Sequence, residues 1–596
     1  MKPLYDALLE YARGARAVFH MPGHKLGRGF IRPGAFTAQG DIIQPGAITM
    51  QGDITQSDAF SMQGDFTQPG GFMPPGVFDR PALFDVTELD ETDDLHSPHG
   101  PLLEAQRLAA GAFGAGRTWF LVNGSSCGIF AMIAANCAAG QKLLIARDFH
   151  YSAYNAMRFA RTRPVFMNIG GGADGITGPG AILNPSGVER ALYEHPDASA
   201  LYLTRPGYYG DVCDIAEITR LAHKRGVTVL VDEAHGAHLA FLDRLPASAL
   251  AGGADFCVQS AHKTLPAFTQ CAYAHISDKK LAGDPSAAGR LSEALVAFQT
   301  SSPSFLLTAS LDYAREYMQA NGAKELDRIA GNCERFYMRM AAAGFGVPQL
   351  YASLPAATPT DTPALSVRQP ALASCDATTR INRQSAPPNA APSRYGRDIT
   401  RLVLSTRPLG LSGVETGRLL WSRYGIGIET SDPSHIVMIT GVADKDGDFA
   451  LLADALEQIA ASQMQKGAPA SGHSADIASV IETSMDGVIY GDKSAAHRQH
   501  RLESTSACEG GRAETALTGG DYDFITSLHE KKARAPLHMA EGRAAAEMVT
   551  PYPPGIPLLC PGETVTSGVI GEIRRLLDSG VMVKGIGADG EIAVKP

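Results

Sequence analysis

The chain has 596 residues, of which 19% are charged and 44% hydrophobic, and its formal net charge is −10. That length suits two or three domains with sizeable cores. The acidic balance argues against extensive nucleic-acid binding, which needs clustered Lys and Arg to neutralise phosphates. Nine cysteines without a Cys-x-x-Cys pair point to neither a zinc ribbon nor a disulfide framework. A reduced cytosol is therefore the expected setting. Early acids rule against a signal peptide, and no run of 18 apolar residues offers a membrane span.

Residues 33–80 carry a repeat of period 12, seen in Pro33–Gln44, Pro45–Gln56 and Ser57–Gln68. Three or four such short Gly/Pro units bury little, so a surface insertion is expected. The apolar run before Gly124 reads as a strand, and a helix is expected to open at about Gly128. Gly124, Ser125 and Ser126 then form an anion cradle, with helix-start N–H groups and two hydroxyls suited to a phosphate. The same residue types also cap helices with no ligand.

Lys142–Ala146 reads as a strand that leads to His150. The runs 199–204, 227–232 and 256–259 are apolar at the length of buried parallel strands. Between the first two, 214–225 is an amphipathic helix with Asp214 as N-cap and Gly226 as its stop. Strand, helix, strand implies an α/β fold with a mainly parallel sheet, and ligands there bind beyond the carboxyl ends of the strands. A smaller α/β region is expected at 395–460, with a strand at 401–405, a helix at 413–424 and a strand at 425–429. The stretches 353–393 and 463–515 are rich in Ala, Ser, Pro and Thr and read as loops or insertions. The expected division is 1–345, 346–462, a linker 463–515, and a C-terminal unit 516–596.

Chemistry concentrates at two strand ends, Asp232-Glu-Ala-His235 and Ser260-Ala-His-Lys263. An acid, a lysine and imidazoles around one ring suit pyridoxal phosphate (PLP). That cofactor needs a lysine for its Schiff base and a carboxylate to keep the pyridine nitrogen protonated. Ser260 would add a hydroxyl to the phosphate. Asp-Glu-Ala-His also spells a helicase box, but no Gly-Lys followed by Ser or Thr supplies a Walker A loop. The pairs His20/His24, His96/His99 and His235/His238 have metal-binding spacing without a third ligand, so no metal is expected.

The chain resembles the Orn/Lys/Arg decarboxylase family of fold-type I PLP enzymes. The resemblance rests on Phe19-His-Met-Pro-Gly-His-Lys25, Asp85-Val-Thr-Glu-Leu-Asp90, Asn123-Gly-Ser-Ser126, Asp232–His238 and Gln259–Lys263. It continues through Gln299–Ser304, Pro551–Pro557 and Pro561-Gly-Glu563. These segments lie in order, and the first begins almost at once, as in short forms without an N-terminal wing domain.

The resemblance implies that Lys263 binds PLP and returns a proton to the substrate carbon, that Asp232 pairs with the pyridinium nitrogen, and that His150 stacks on the ring. His235 is expected to reach the ring oxygen or hold Asp232, with His238 structural. His262 would bond the phosphate or carry a proton, and Thr204 would lie near the cofactor. Thr300 would approach the phosphate of a partner in a homodimer or higher even oligomer. Gly207 stands where the family pattern has Thr.

The implied reaction is α-decarboxylation of arginine, lysine or ornithine. Alternatives are an aminotransferase or lyase on the same fold, or a non-catalytic regulatory relative. A basic substrate needs a carboxylate at the far end of its pocket. Glu429, Asp432, Glu547 and Glu563 are the candidates, the last two favoured by their Pro-rich surroundings.

Overall fold

The computed structural model describes residues 16–25, 86–89, 92–167, 169, 182–348, 396–467, 531–552, 555–587 and 589–596. The period-12 repeat, Asp85, Asp90 and the stretches 353–393 and 468–515 lie outside the described residues.

After the short β1 (Ala17–Phe19), seven strands form the central sheet. They are β2 (Arg117–Leu121), β3 (Lys142–Ala146), β4 (Arg163–Met167), β5 (Ala198–Thr204), β6 (Thr228–Asp232), β7 (Phe256–Gln259) and β8 (Ala272–Ile276), in the order β2-β8-β7-β6-β5-β3-β4. Strands β4, β3, β5, β6 and β7 pair in parallel, and β8 runs antiparallel to both β7 and β2.

The unbroken apolar runs reflect burial on both faces. Leu143, Ile145, Tyr202 and Leu230 enter one core cluster, whereas Leu144, Leu201, Leu203, Val229 and Val231 enter another. Alternate side chains point to opposite faces, so each strand must be apolar at nearly every position. The expected amphipathic helix is Ile215–Lys224, and the Asp214 carboxylate accepts from the Glu217 N–H at 3.1 Å.

A second sheet combines β9 (Arg401–Ser405) with, after β10 (Ile426–Ile428), β11 (Thr430–Ser431) and β12 (His435–Ile439), in the order β11-β12-β9. The helices Phe305–Ala342, Gly413–Tyr424 and Asp446–Gly467 accompany it. C-terminally, β13 (Ala533–Pro536), β14 (Thr550–Pro551), β15 (Val583–Lys584) and β16 (Glu591–Val594) surround the helix Ser567–Asp578 with their own apolar cluster.

Three boundaries differ from the sequence reading. The phosphate-cradle helix opens at Gly124, not about Gly128. The 463–515 stretch begins inside the helix Asp446–Gly467. The expected strand 425–429 shrinks to Ile426–Ile428 because Gly425, at φ 65°, caps the preceding helix.

The segment of the first motif packs against the turn that carries Lys263. β1 pairs in parallel with β10, and the Gly23 N–H donates to the His262 carbonyl at 2.6 Å. A Cβ on Gly23 would stand 2.6 Å from the Leu265 carbonyl oxygen, beside the turn that carries Lys263. Gly23→Ala is therefore expected to cost about 1–3 kcal/mol in denaturant unfolding, because backbone cannot yield as a side chain does. Unchanged stability would contradict this close approach.

Candidate active site

The carboxyl ends of β2, β3, β5, β6 and β7 deliver Gly124, His150, Thr204, Asp232 and Lys263 to one edge of the sheet. At β2 the chain turns through Gly124, φ +76°, directly into the helix Gly124–Asn136. Asn123 occupies the N-cap position, yet its side chain makes no capping bond. Its Oδ1 accepts instead from the Thr300 N–H at 3.0 Å. The first helical turn thus keeps N–H groups facing outward, with the positive end of the helix dipole behind them. Beside it, the Ser260 hydroxyl donates to the Ser125 Oγ at 2.8 Å, and Ser126 is exposed. Such an arrangement is suited to an anion.

Asp232 is buried at the end of β6. Its Oδ2 accepts from the Tyr202 hydroxyl at 3.0 Å and its Oδ1 from the Ala234 N–H at 3.0 Å. Burial pushes its carboxyl up, and the Lys263 charge opposes that shift. Lys263 Nζ lies 3.0 Å from His235 Nε2, and His235 Nδ1 lies 2.7 Å from Arg401 Nη2. Burial draws the Lys263 amine down to about 8 against the pull of Asp232 and Glu429, with Arg401 lowering it further. Burial likewise holds the His235 imidazole well below its ordinary value, helped by Lys263 and Arg401. His235 therefore holds the lysine, and Asp232 is held by Tyr202 and its own turn. His238 is structural, pairing with Asp398 at 3.3 Å and Thr400 at 3.1 Å.

His150 caps the helix Tyr151–Ala160. Its Nδ1 accepts from the Ser152 N–H at 3.3 Å and lies 2.8 Å from the Ser152 Oγ. Burial, with Lys263 and Lys584 nearby, lowers it to about 3, so the ring is neutral. Gly555, φ +86°, presses against its edge, where a Cβ would come 3.0 Å from His150 Cδ2. Lys584 lies 3.5 Å over the Tyr552 ring on the same side.

The His262 Nδ1 donates to the Cys271 carbonyl at 3.0 Å, and burial lowers the ring to about 4. Its Nε2 is left as an acceptor. Thr204 Oγ1 is buried with no hydrogen-bond partner beside Asp232, its register neighbour. At Gly207 a Cβ would meet only the Asp211 carbonyl oxygen, at 3.6 Å, so the missing side chain is not a packing requirement.

The four candidate acids separate. Glu429 accepts from the Tyr208 hydroxyl and the Met21 N–H, each at 3.1 Å, and its charge acts on Lys263. Asp432 is consumed by Tyr209, His435 and the Ser434 N–H. Glu547 pairs with Lys532 at 3.0 Å and Arg534 at 3.6 Å. Glu563 pairs with Arg147 at 3.1 Å and accepts from the Cys560 N–H at 2.7 Å, clamping the C-terminal unit against the end of β3. Both C-terminal acids, which their Pro-rich surroundings had favoured, are engaged in ion pairs. A Pro-rich neighbour fixes backbone but does not free a carboxylate from its ion pair.

Residues 78–342 match the model of the Orn/Lys/Arg decarboxylase major domain, and residues 523–578 match that of the C-terminal domain. An arginine decarboxylase from Bacillus subtilis is 30% identical over 98% of this chain and 95% of its own. The chain belongs to the Orn/Lys/Arg decarboxylase family. Another arginine decarboxylase, from Halalkalibacterium halodurans, is 28% identical over 98% of this chain and 95% of its own. A lysine decarboxylase from Pseudomonas aeruginosa is 24% identical over 80% of this chain and 66% of its own.

Lysine decarboxylase A from P. aeruginosa, as a solved structure, has a TM-score of 0.60 at 19% identity, covering 86% of this chain and 73% of that one. The Francisella novicida enzyme gives 0.59 at 17%, covering 89% and 79%. The fold is thus that of fold-type I decarboxylases, as the sequence implied.

In this decarboxylase the sequence reading missed Arg401, Tyr202, Tyr208 and Asp148. The Asp148 carboxyl is pushed up to about 7 by burial and by the Asp232 charge, and its Oδ1 has no hydrogen-bond partner. Only its place between Arg147 and His150 could have flagged it. Among the described residues no helix is long and apolar enough to cross a membrane, and all seven described cysteines are free and buried.

Proposed function

We propose that this decarboxylase is PLP-dependent and acts on arginine ahead of lysine and ornithine, yielding the amine and carbon dioxide. One observation carries the cofactor reading: a helix N-terminus left uncapped, because Asn123 turns to Thr300, opens beside a buried acid and a lowered lysine. The orphaned Thr204 hydroxyl on the same edge adds a polar group in need of a partner. The residues fit the cofactor. Gly124, Ser125, Ser126 and Ser260 would hold its phosphate, Asp232 its ring nitrogen and Lys263 its aldehyde. His150 would cover the ring, with Thr204, His235 and His262 around it. The reading also places Thr300, half-buried beside the cradle, near a partner's phosphate in a homodimer or a multiple of one.

When bound, the cofactor's protonated ring accepts the electron pair left on Cα as carbon dioxide departs. The protein supplies the rest. Asp232 keeps the ring nitrogen charged, since burying an unpaired pyridinium would be costly. His150, neutral and held through Nδ1, excludes water from one face. Lys263 Nζ, once free, is the group placed to return a proton to Cα.

Covalent capture needs the neutral amine, so pH dependence follows from Lys263. Below its lowered value of about 8 the ammonium dominates, above it the amine does. Capture of cofactor by the apoprotein is expected to speed up about tenfold per pH unit below that point and to level off above it. A stopped-flow profile with its midpoint near an ordinary lysine would contradict this.

Of the four acids, Glu429 alone reaches the neighbourhood of Lys263, and we assign it the cationic end of the substrate. Glu429→Gln is expected to raise KM for arginine about ten- to a hundredfold. Glu547→Gln, distant and paired with Lys532, serves as the control and should leave KM unchanged. Equal KM in both variants would place the substrate cation elsewhere. The function itself is tested by carbon dioxide release from arginine, lysine and ornithine. Keto-acid formation in its place would indicate transamination.

A further inference from the structure

We infer that Arg401 is a positioning residue that sets the tautomer of His235 and thereby makes Lys263 a hydrogen-bond acceptor. A guanidinium has five donors and no acceptor. Arg401 Nη2 at 2.7 Å therefore finds a lone pair on His235 Nδ1. A neutral imidazole carries one proton, which then lies on Nε2. Nε2 in turn faces Lys263 Nζ at 3.0 Å. Two N–H groups cannot share that line, and an ammonium has no lone pair. The amine must accept, and only the neutral amine can. A protonated imidazole would instead set a proton against the guanidinium.

The side chain doing this is fixed. Arg401 is 1% exposed, and its guanidinium lies 5.9 Å over the Tyr208 ring. Its stem runs over Gly210, φ +89°, where a Cβ would stand 2.7 Å from Arg401 Cβ. The Tyr208 hydroxyl donates to Glu429, which also holds the Met21 N–H. Arg401 comes from β9 of the second sheet, whereas His235 and Lys263 follow strands of the first. Docking of the two sheets therefore biases the amine toward its neutral form.

The groups around Lys263 are Asp232 and His235 after β6, His262 on its own turn, His150 after β3, Arg401 on β9 and Glu429 after β10. The carboxylates favour the ammonium; the guanidinium opposes it. Charge alone and tautomer control thus push in the same direction, and the test must separate them.

The inference rests on Lys263 being the reacting amine, and it is tested on the full-length apoprotein, where the outcome does not depend on cofactor chemistry. The probes are acylation of Lys263 by acetic anhydride against pH, read by mass spectrometry, and the 15N signals of labelled His235. His235→Gln supplies the assignment. In the parent, Nδ1 is expected unprotonated and Nε2 protonated; a parent with Nδ1–H overturns the proposal without any variant. Arg401→Met should slow acylation at pH 7 about tenfold, as for a one-unit rise, and should release the single tautomer. Arg401→Lys, which keeps a donor at Nδ1, should restore both. Unchanged acylation in Arg401→Met overturns the proposal. So does slowed acylation with the tautomer intact, since Arg401 would then act only as a charge.

Discussion

Lys263→Ala is expected to abolish covalent cofactor binding and to lower decarboxylation on the order of 10⁴-fold, since it removes both the covalent anchor and the proton donor. Among the described residues, the lysines nearest in the site's surroundings are engaged elsewhere. Lys25 is committed to the His20 and Ile439 carbonyls and to Asp444. Lys584 lies over Tyr552 in the C-terminal unit. The readout is the cofactor's visible band before and after borohydride. The parent should lose the band and retain the cofactor on the Lys263 peptide, whereas the variant should release it on gel filtration. A borohydride-fixed cofactor in Lys263→Ala would mean that another amine carries the chemistry.

Asp232→Asn should separate binding from chemistry. The amide preserves volume and can still meet Tyr202 and the Ala234 N–H, so the fold and Lys263 survive. The anion, however, is gone. A buried carboxylate whose charge is disfavoured by burial gains a partner when a ring N–H⁺ arrives, and asparagine offers none. The expected result is capture of cofactor with kcat reduced about 10²–10³-fold, the scale of losing one preorganised electrostatic contact. Parent-like kcat in this variant would remove Asp232 from the mechanism.

Strands β2, β3, β5, β6 and β7 were legible, and β4 and β8 were not read; a strand buried on both faces has to be apolar throughout. The runs around Leu201, Val229 and Phe256 have no polar interruption to mislead. Lys263, Asp232, His150 and Ser260 were legible for a related reason. Each lies at or just past the end of such a strand, and strand ends in this topology converge. The helix start at Gly124 was not legible, since Gly and Ser are poor helix formers and Asn123 spends its cap on Thr300, 177 residues away. Arg401 was also hidden. An arginine opening a short strand reads as an edge residue, and its partner His235 lies 166 positions back. The ion pairs of the C-terminal acids were not legible, because local composition cannot show that Arg147 pairs with Glu563 or Lys532 with Glu547.

The most direct test of the account is the fate of Cα. In deuterium oxide, arginine labelled with carbon-13 at its carboxyl is given to the full-length enzyme with PLP. The account predicts one labelled carbon dioxide per amine, with a single deuterium on the carbon that bore the carboxylate. Deuterium exchange into arginine that keeps its carboxyl, or a keto acid in place of the amine, would contradict it.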